Sequence, residues 1–301
     1  MPEIVEVVEV DGGPYGVAVD AAGMVWCTLA ERGAIARWDG SRLEMFGLEP
    51  ADGSPTVIIA HGNDVWFTEF RGNRIGRIGS GGACEYLPAD SPYGLCLAPD
   101  GALWYTEVNA NAVVRRDPAG ALDRYTVEGM PSTIAAAPDG TVWFTLNQAN
   151  AIGRITAAGG LSVQSLPTEA AAPVGITVRG DGAWFVEIGA GQLGHIPARG
   201  AAGSDDAVAA HGTVATHGPV IEFPLPDRAA KPHAVVAGPD GALWFTEWAS
   251  SRLGRMTVDG AVTGSALPGA EPHGLTVAPD GSIWVAMESG ALVRVRPDTT
   301  R

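Results

Sequence analysis

The chain has 301 residues, 46% of them hydrophobic and 18% charged, and a formal charge of −15. That apolar content builds a large core and excludes a disordered chain. A pI near 4.7 argues against nucleic acid and anionic membrane surfaces, which select basic faces, and no run of about 18 apolar residues is present to span a bilayer.

The acidic segment Met1 to Val10 lacks the basic start of a Sec-type signal peptide, so none is expected. Ile4 to Val10 reads as a strand with no partner nearby. From Pro14 onward a unit repeats. Its markers are seven tryptophans, Trp26, Trp66, Trp104, Trp143, Trp184, Trp244 and Trp284, spaced 40, 38, 39, 41, 60 and 40 residues apart. Each follows a proline by 11 or 12 residues: Pro14, Pro55, Pro92, Pro131, Pro173, Pro232 and Pro272. Two markers in register over seven copies establish a true repeat.

Each copy predicts four short strands. In the last, Leu275 and Val277 alternate with small or polar neighbours and Asp280-Gly281 makes a turn. Ile283 to Met287 then forms a second strand. Asp100-Gly101, Asp139-Gly140 and Asp240-Gly241 repeat the turn, which the dipeptide predicts to be type I′. Third and fourth strands follow, as in Asn73 to Ile78 and Cys84 to Pro88. The one long gap is an insertion within about 197–218, rich in Gly, Ala and Ser, and reads as a mobile loop between a third and a fourth strand. The last copy stops after its third strand near Val295, so the N-terminal strand is expected to complete it and remove a free edge. The expectation is one all-β domain over 1–301: a seven-bladed β-propeller of four-stranded blades, with the N-terminal strand closing the last blade. The cysteines, Cys27, Cys84 and Cys96, have no CxxC spacing; they predict a reducing cytoplasm and no zinc-site signature.

In such a fold three repeat positions ring one mouth of the central channel. The residues after the prolines are Tyr15, Thr56, Tyr93, Ser132, Val174, His233 and His273. Glu271 and Lys231 stand before two of those prolines. Three residues after the tryptophans come Glu69, Glu107, Glu187 and Glu247; in the last copy the acid moves one place on, to Glu288. A one-residue shift along a strand re-aims the side chain. The recurring glutamates are read as blade architecture or a solvated rim, and the tryptophans and Ile-Gly-Arg segments as inter-blade packing. Function is expected where the copies differ: Glu271, His273 and Glu288, with His233 in the neighbouring blade. His61, His195, His211 and His217 lack such company and are expected at the surface. Two carboxylates at one mouth suit a hard divalent cation such as Mg²⁺, and a histidine two residues from one of them suits a general base. A cation on a carbonyl acidifies the adjacent C–H. No HExxH, P-loop, GxSxG or GxGxxG offers a competing chemistry.

The segments GPYGVAV, DVWFTEFRGNRIGRI, PVGITV, KPHAVVAGPDGALWFTEW and EPHGLTVAPDGSIWVAMES resemble the virginiamycin B lyase family over nearly the whole chain. The resemblance implies a monomeric propeller that linearises a cyclic depsipeptide antibiotic, a streptogramin B, by elimination rather than hydrolysis. It implies that His233 contacts substrate, that Glu271 and Glu288 bind Mg²⁺ and that His273 is the proton acceptor. Tyr15, Tyr93 and Trp248 are further candidates for packing against aromatic parts of the substrate. Two alternatives stay open at this level: a metal-dependent lactonase or esterase on a similar propeller, and a non-catalytic propeller that binds peptide.

Overall fold

The computed structural model describes residues 2–79, 81–198 and 218–297. Among them stand seven four-stranded antiparallel sheets arranged as the blades of a propeller. Blade 1 starts at Pro14–Val19 and blade 7 at Pro272–Val277, each blade running outward from the strand that begins with the marker proline. Glu3–Glu9 pairs antiparallel with Ala291–Arg296 and completes blade 7, as the missing fourth strand requires. No helix among the described residues is long and apolar enough to cross a membrane.

The core lies between blades. Trp284 of blade 7 packs with Val17, Cys27 and Ala36 of blade 1. Trp26 packs with Ile58, Val65 and Phe67 of blade 2, and Trp244 with Leu275, Val285 and Met287 of blade 7. Burying such a ring removes about 150–250 Å² from water, worth roughly 4–6 kcal/mol before entropy is counted. The outer face of the ring is used too. Guanidinium groups stand over six of the seven tryptophans, 5.2 to 5.8 Å from the ring centre. In Ile-Gly-Arg the arginine makes this contact and the glycine makes room for phenylalanine. A Cβ on Gly254 would stand 2.2 Å from Cε2 of Phe245, and one on Gly153 2.1 Å from Phe144.

The Asp-Gly turns differ from the type I′ expectation. Gly281 has a positive φ, but Asp280 does not. Gly281 N–H donates to the carbonyl of Ala278, and Ala278 N–H to that of Ser282. This is a three-residue loop, a type I turn closed by a left-handed glycine. Pro279 presets the first turn residue, and the Asp280 carboxylate accepts from Ser282 N–H at 3.0 Å, so aspartate is selected as an acceptor and not for positive φ. Asp100, Asp139 and Asp240 do the same for the N–H two residues on.

The expected insertion leaves blade 5 after Gln192–Pro197 and returns at Ile221–Pro224, which are its third and fourth strands. Pro197 pairs with Gly182, at the end opposite the marker prolines. Residues 199–217 lie outside the described residues, as do His211 and His217. His61 is exposed. His195, expected at the surface, is buried: its ring stacks on Trp184 with centroids 3.9 Å apart, and its Nε2 meets the Asp181 carbonyl at 3.1 Å. It occupies the place that arginine takes over other blade tryptophans.

Candidate active site

The mouth is built by a backbone device repeated around the ring. The residue before each marker proline adopts the left-handed region: Gly13, Ser54, Ser91, Met130, Ala172, Lys231 and Glu271. For a residue other than glycine this costs about 1–2 kcal/mol. In six blades the carbonyl of that residue accepts the N–H four places after the tryptophan, as Glu271 O accepts Glu288 N–H at 3.0 Å and Lys231 O accepts Trp248 N–H at 3.1 Å. In those six blades the device therefore sets the two mouth positions side by side. In blade 7 those positions are Glu271 and Glu288; in blade 6 they are Lys231 and Trp248.

His273 joins them. It is only 8% exposed, and its Nε2 lies 2.6 Å from Glu288 Oε2. A carboxylate only accepts, so in this pairing Nε2 carries the hydrogen and Nδ1 is the bare nitrogen. Nδ1 is buried without a hydrogen-bond partner. Burial holds the imidazole down to about 4, so it is neutral near pH 7. Tyr15 stacks on it with centroids 4.3 Å apart, His233 meets it edge-on at 4.7 Å, and Trp248 stands at 6.4 Å. His233 is held down to about 3, first by burial and then by the positive charge His273 would carry. Tyr15 and Tyr93 share a 2.5 Å hydrogen bond between their hydroxyls. Burial raises both phenols, Tyr15 well above its usual range with help from Tyr93 and Glu288, so both stay protonated. All seven residues expected at the site, Tyr15, Tyr93, His233, Trp248, Glu271, His273 and Glu288, thus lie around one mouth. The Lys231 ammonium stands 5.3 Å from the Trp248 ring centre.

One positioning group was not anticipated. In five blades the threonine two places after the tryptophan donates to the carbonyl of the next blade's ring residue. Thr246 Oγ1 holds the His273 carbonyl at 2.8 Å, as Thr68 holds that of Tyr93 at 2.9 Å. The signal was present as the third letter of Trp-Phe-Thr-Glu. It fails at Val186 and Ala286, the copies preceding the His233 and Tyr15 blades.

The recurring glutamates belong to the blades. Glu69 is fully buried and takes both Nε and Nη2 of Arg74, at 2.8 and 3.0 Å. Glu247 accepts from Ser250 Oγ at 2.8 Å. Blade 5 carries Gln192 where blade 2 has Arg74, and Gln192 Nε2 donates to Glu187 at 2.6 Å. Burial, opposed by that hydrogen bond and aided by nearby Glu222, raises Glu187 to about 7 from 4.5. The folded state therefore holds a proton that the unfolded state has lost, and stability falls as pH rises from about 4.5 through 7. Up to about 3 kcal/mol is at stake. Glu187→Gln is expected to melt about 3–5 °C above the parent at pH 8 and level with it near pH 4.5, as thermal denaturation followed by circular dichroism will show.

Among the described residues no three His, Cys, Asp or Glu side chains cluster closely enough to hold a metal unaided. The donor set nevertheless fits a Mg²⁺-like ion, which keeps several waters and takes one or two carboxylates. Glu271 and Glu288 are hard oxygen donors on adjacent mouth positions, and the Glu271 carboxylate has no hydrogen-bond or ion-pair partner among the described residues.

The fold and this mouth define a seven-bladed propeller with a histidine–carboxylate cluster at one face. Comparison with known proteins specifies it further. The chain belongs to the virginiamycin B lyase family, which it matches over residues 2–295. It is 60% identical to the virginiamycin B lyase of Nocardia farcinica, over 99% of this chain and all of that one. The crystal structure of virginiamycin B lyase from Staphylococcus aureus superposes with a TM-score of 0.87 at 32% identity, covering 99% and 100% of the two chains. A catalytically inactive histidine-to-alanine variant of that protein, solved with quinupristin, superposes at 0.86, with the same identity and coverage.

Proposed function

We propose that this protein is a carbon–oxygen lyase that opens the ring of streptogramin B antibiotics at the ester bond, and so confers resistance to them. The observation that carries this reading is the buried His273 imidazole, stacked on Tyr15 and meeting Glu288 through Nε2, at the mouth beside Glu271. The inactivity of the histidine variant of the Staphylococcus aureus relative supports a histidine base.

In the reaction a C–H bond breaks next to a carbonyl, in the residue whose side-chain oxygen carries the ester. The C–H electrons form a C=C bond, and the ester C–O pair departs with the carboxylate. No water enters, so the linear product keeps the mass of the cyclic substrate. His273 takes the proton. When Nε2 is the acceptor, the ring hydrogen sits on Nδ1, which has no competing partner. Thr246 fixes the backbone of His273, and Tyr15 fixes its ring plane. His233 borders the same space and contacts substrate, with Tyr15, Tyr93 and Trp248 supplying aromatic walls. Glu271 and Glu288 would hold Mg²⁺. Bound there, the ion would polarise the substrate carbonyl and acidify the neighbouring C–H. Holding the ion would draw Glu288 away from Nε2, which it meets here at 2.6 Å.

All of these residues come from one chain, which suits a monomer. The three cysteines are unpaired, which suits the cytoplasm. Incubation with quinupristin, read by mass spectrometry, tests the reading. A linear product of unchanged mass is expected; a product heavier by one water assigns the site to a lactonase or esterase instead.

A further inference from the structure

The three mouth positions that build the histidine–carboxylate cluster in blades 6 and 7 build something different across the channel. In blades 2 to 5 they carry Phe70, Val108, Met130 and Val174, which line a cavity of about 250 Å³. Of the four polar side chains in its wall, all but Ser132 are turned to internal partners. Asn147 Nδ2 donates to the Pro173 carbonyl at 3.2 Å. Thr56 Oγ1 bonds Thr68 Oγ1 at 3.0 Å, and the Tyr93 hydroxyl is taken by Tyr15. What remains for a ligand is an apolar surface carrying one small hydroxyl, that of Ser132. An apolar protein cavity of roughly 150 Å³ accepts benzene, so this one has room for a phenyl-sized group.

Tyr93 is a wall common to this cavity and to the central channel that His233 and Tyr15 line. Its hydroxyl meets Tyr15, and Tyr15 lies flat on His273. A ligand seated here is thus continuous with the reacting side of the mouth. We propose that this cavity receives one apolar, phenyl-sized side chain of the cyclic depsipeptide and anchors the ring while its ester lies at His273. This rests on the ring-opening reading above. It assigns to Phe70, Val108, Met130 and Val174 the choice of which ring is held, and in what register.

The test pairs protein and ligand changes. Quinupristin is compared with analogues in each of which one aromatic side chain is cut back to methyl. Binding is measured by calorimetry and turnover by steady-state kinetics. Met130→Glu, which puts a charge into the cavity, is expected to raise Kd and KM for quinupristin by about tenfold or more. One trimmed analogue should bind the parent protein more weakly by a similar factor and then be indifferent to Met130→Glu. Phe70→Ala, which removes one wall without adding charge, should show the same pattern at several-fold and serves if Met130→Glu does not fold. Equal losses on every analogue, or no loss on quinupristin, would overturn the assignment. If the parent binds quinupristin but leaves it cyclic, the ring-opening reading falls and the Kd pattern still judges the cavity. If it does not bind at all, both fall.

Discussion

His273→Ala is expected to lower kcat/KM for quinupristin opening by about 10²–10⁴-fold, the usual yield of a positioned general base, with the propeller intact. The imidazole is neutral because it is buried, so in the parent nearly every molecule holds a base ready near pH 7. Alanine leaves no imidazole at that point: Tyr15 and Tyr93 stay protonated, Glu288 is assigned to the ion, and the His233 ring, 4.7 Å from that of His273, stands edge-on in a different plane. The structural cost is small. The side chain contributes a stack on Tyr15, looser ring contacts with His233 and Trp248 and one carboxylate contact, and its backbone stays tied to Thr246. Loss of the stack is worth roughly 1 kcal/mol. Circular dichroism and thermal melting should therefore move little while turnover disappears. Calorimetry on the same variant separates binding from chemistry, since removing a base should leave Kd for quinupristin within a few-fold. A variant that turns over within tenfold of the parent sinks the assignment. So does one whose lost turnover is matched by an equal loss of binding, because His273 would then be a contact and not the proton acceptor.

The proline and tryptophan registers made the architecture legible before any coordinates. Each marks a strand position whose environment recurs seven times, so the average over copies is strong even where one copy is ambiguous. The closure of blade 7 by Glu3–Glu9 followed from counting strands. The grouping of the candidate site residues was legible for the complementary reason. Glu271, His273 and Glu288 depart from positions that the other blades fill with something else, and a repeat exposes its exceptions. What stayed hidden depends on side-chain direction. That Glu288 reaches Nε2 of His273 while Glu247, one residue earlier in its copy, turns to Ser250 follows from the alternation of the strand. Sequence shows the shift but not the partner. The buried stack of His195 on Trp184 was missed because histidine there replaces an arginine, and only the cross-strand pair of 195 with 184 reveals it. The Asp-Gly turns were misassigned because the dipeptide was read without Pro279 and its equivalents, which place aspartate and glycine one step later in the loop. The apolar cavity opposite the histidines was invisible for a plainer reason. Phe70, Val108, Met130 and Val174 are ordinary residues, and only the ring geometry puts them on one wall.

Glu271→Gln and Glu288→Gln are expected to separate the two duties of the carboxylate pair. Both remove a negative oxygen donor from the mouth while keeping shape, and turnover of the parent should vanish with a chelator and return with Mg²⁺. Glu271 carries no other described contact than its backbone link to Glu288. Its substitution should therefore act through the ion alone. The Mg²⁺ concentration for half-maximal rate should rise about tenfold or more, with much of the rate recovered at saturating Mg²⁺. Glu288 does two things. It is a donor to the ion, and it meets His273 Nε2 at 2.6 Å. Glutamine there weakens the ion and also changes what faces the base, because its amide can present N–H where the carboxylate presented only oxygen. Saturating Mg²⁺ should then restore little, and kcat should stay depressed by about 10²-fold or more. The asymmetry is the diagnostic, because a purely structural pair would fail alike and would not respond to Mg²⁺. A parent rate indifferent to chelator removes the ion from the mechanism, and leaves Glu288 as the partner of His273 and Glu271 as a rim carboxylate.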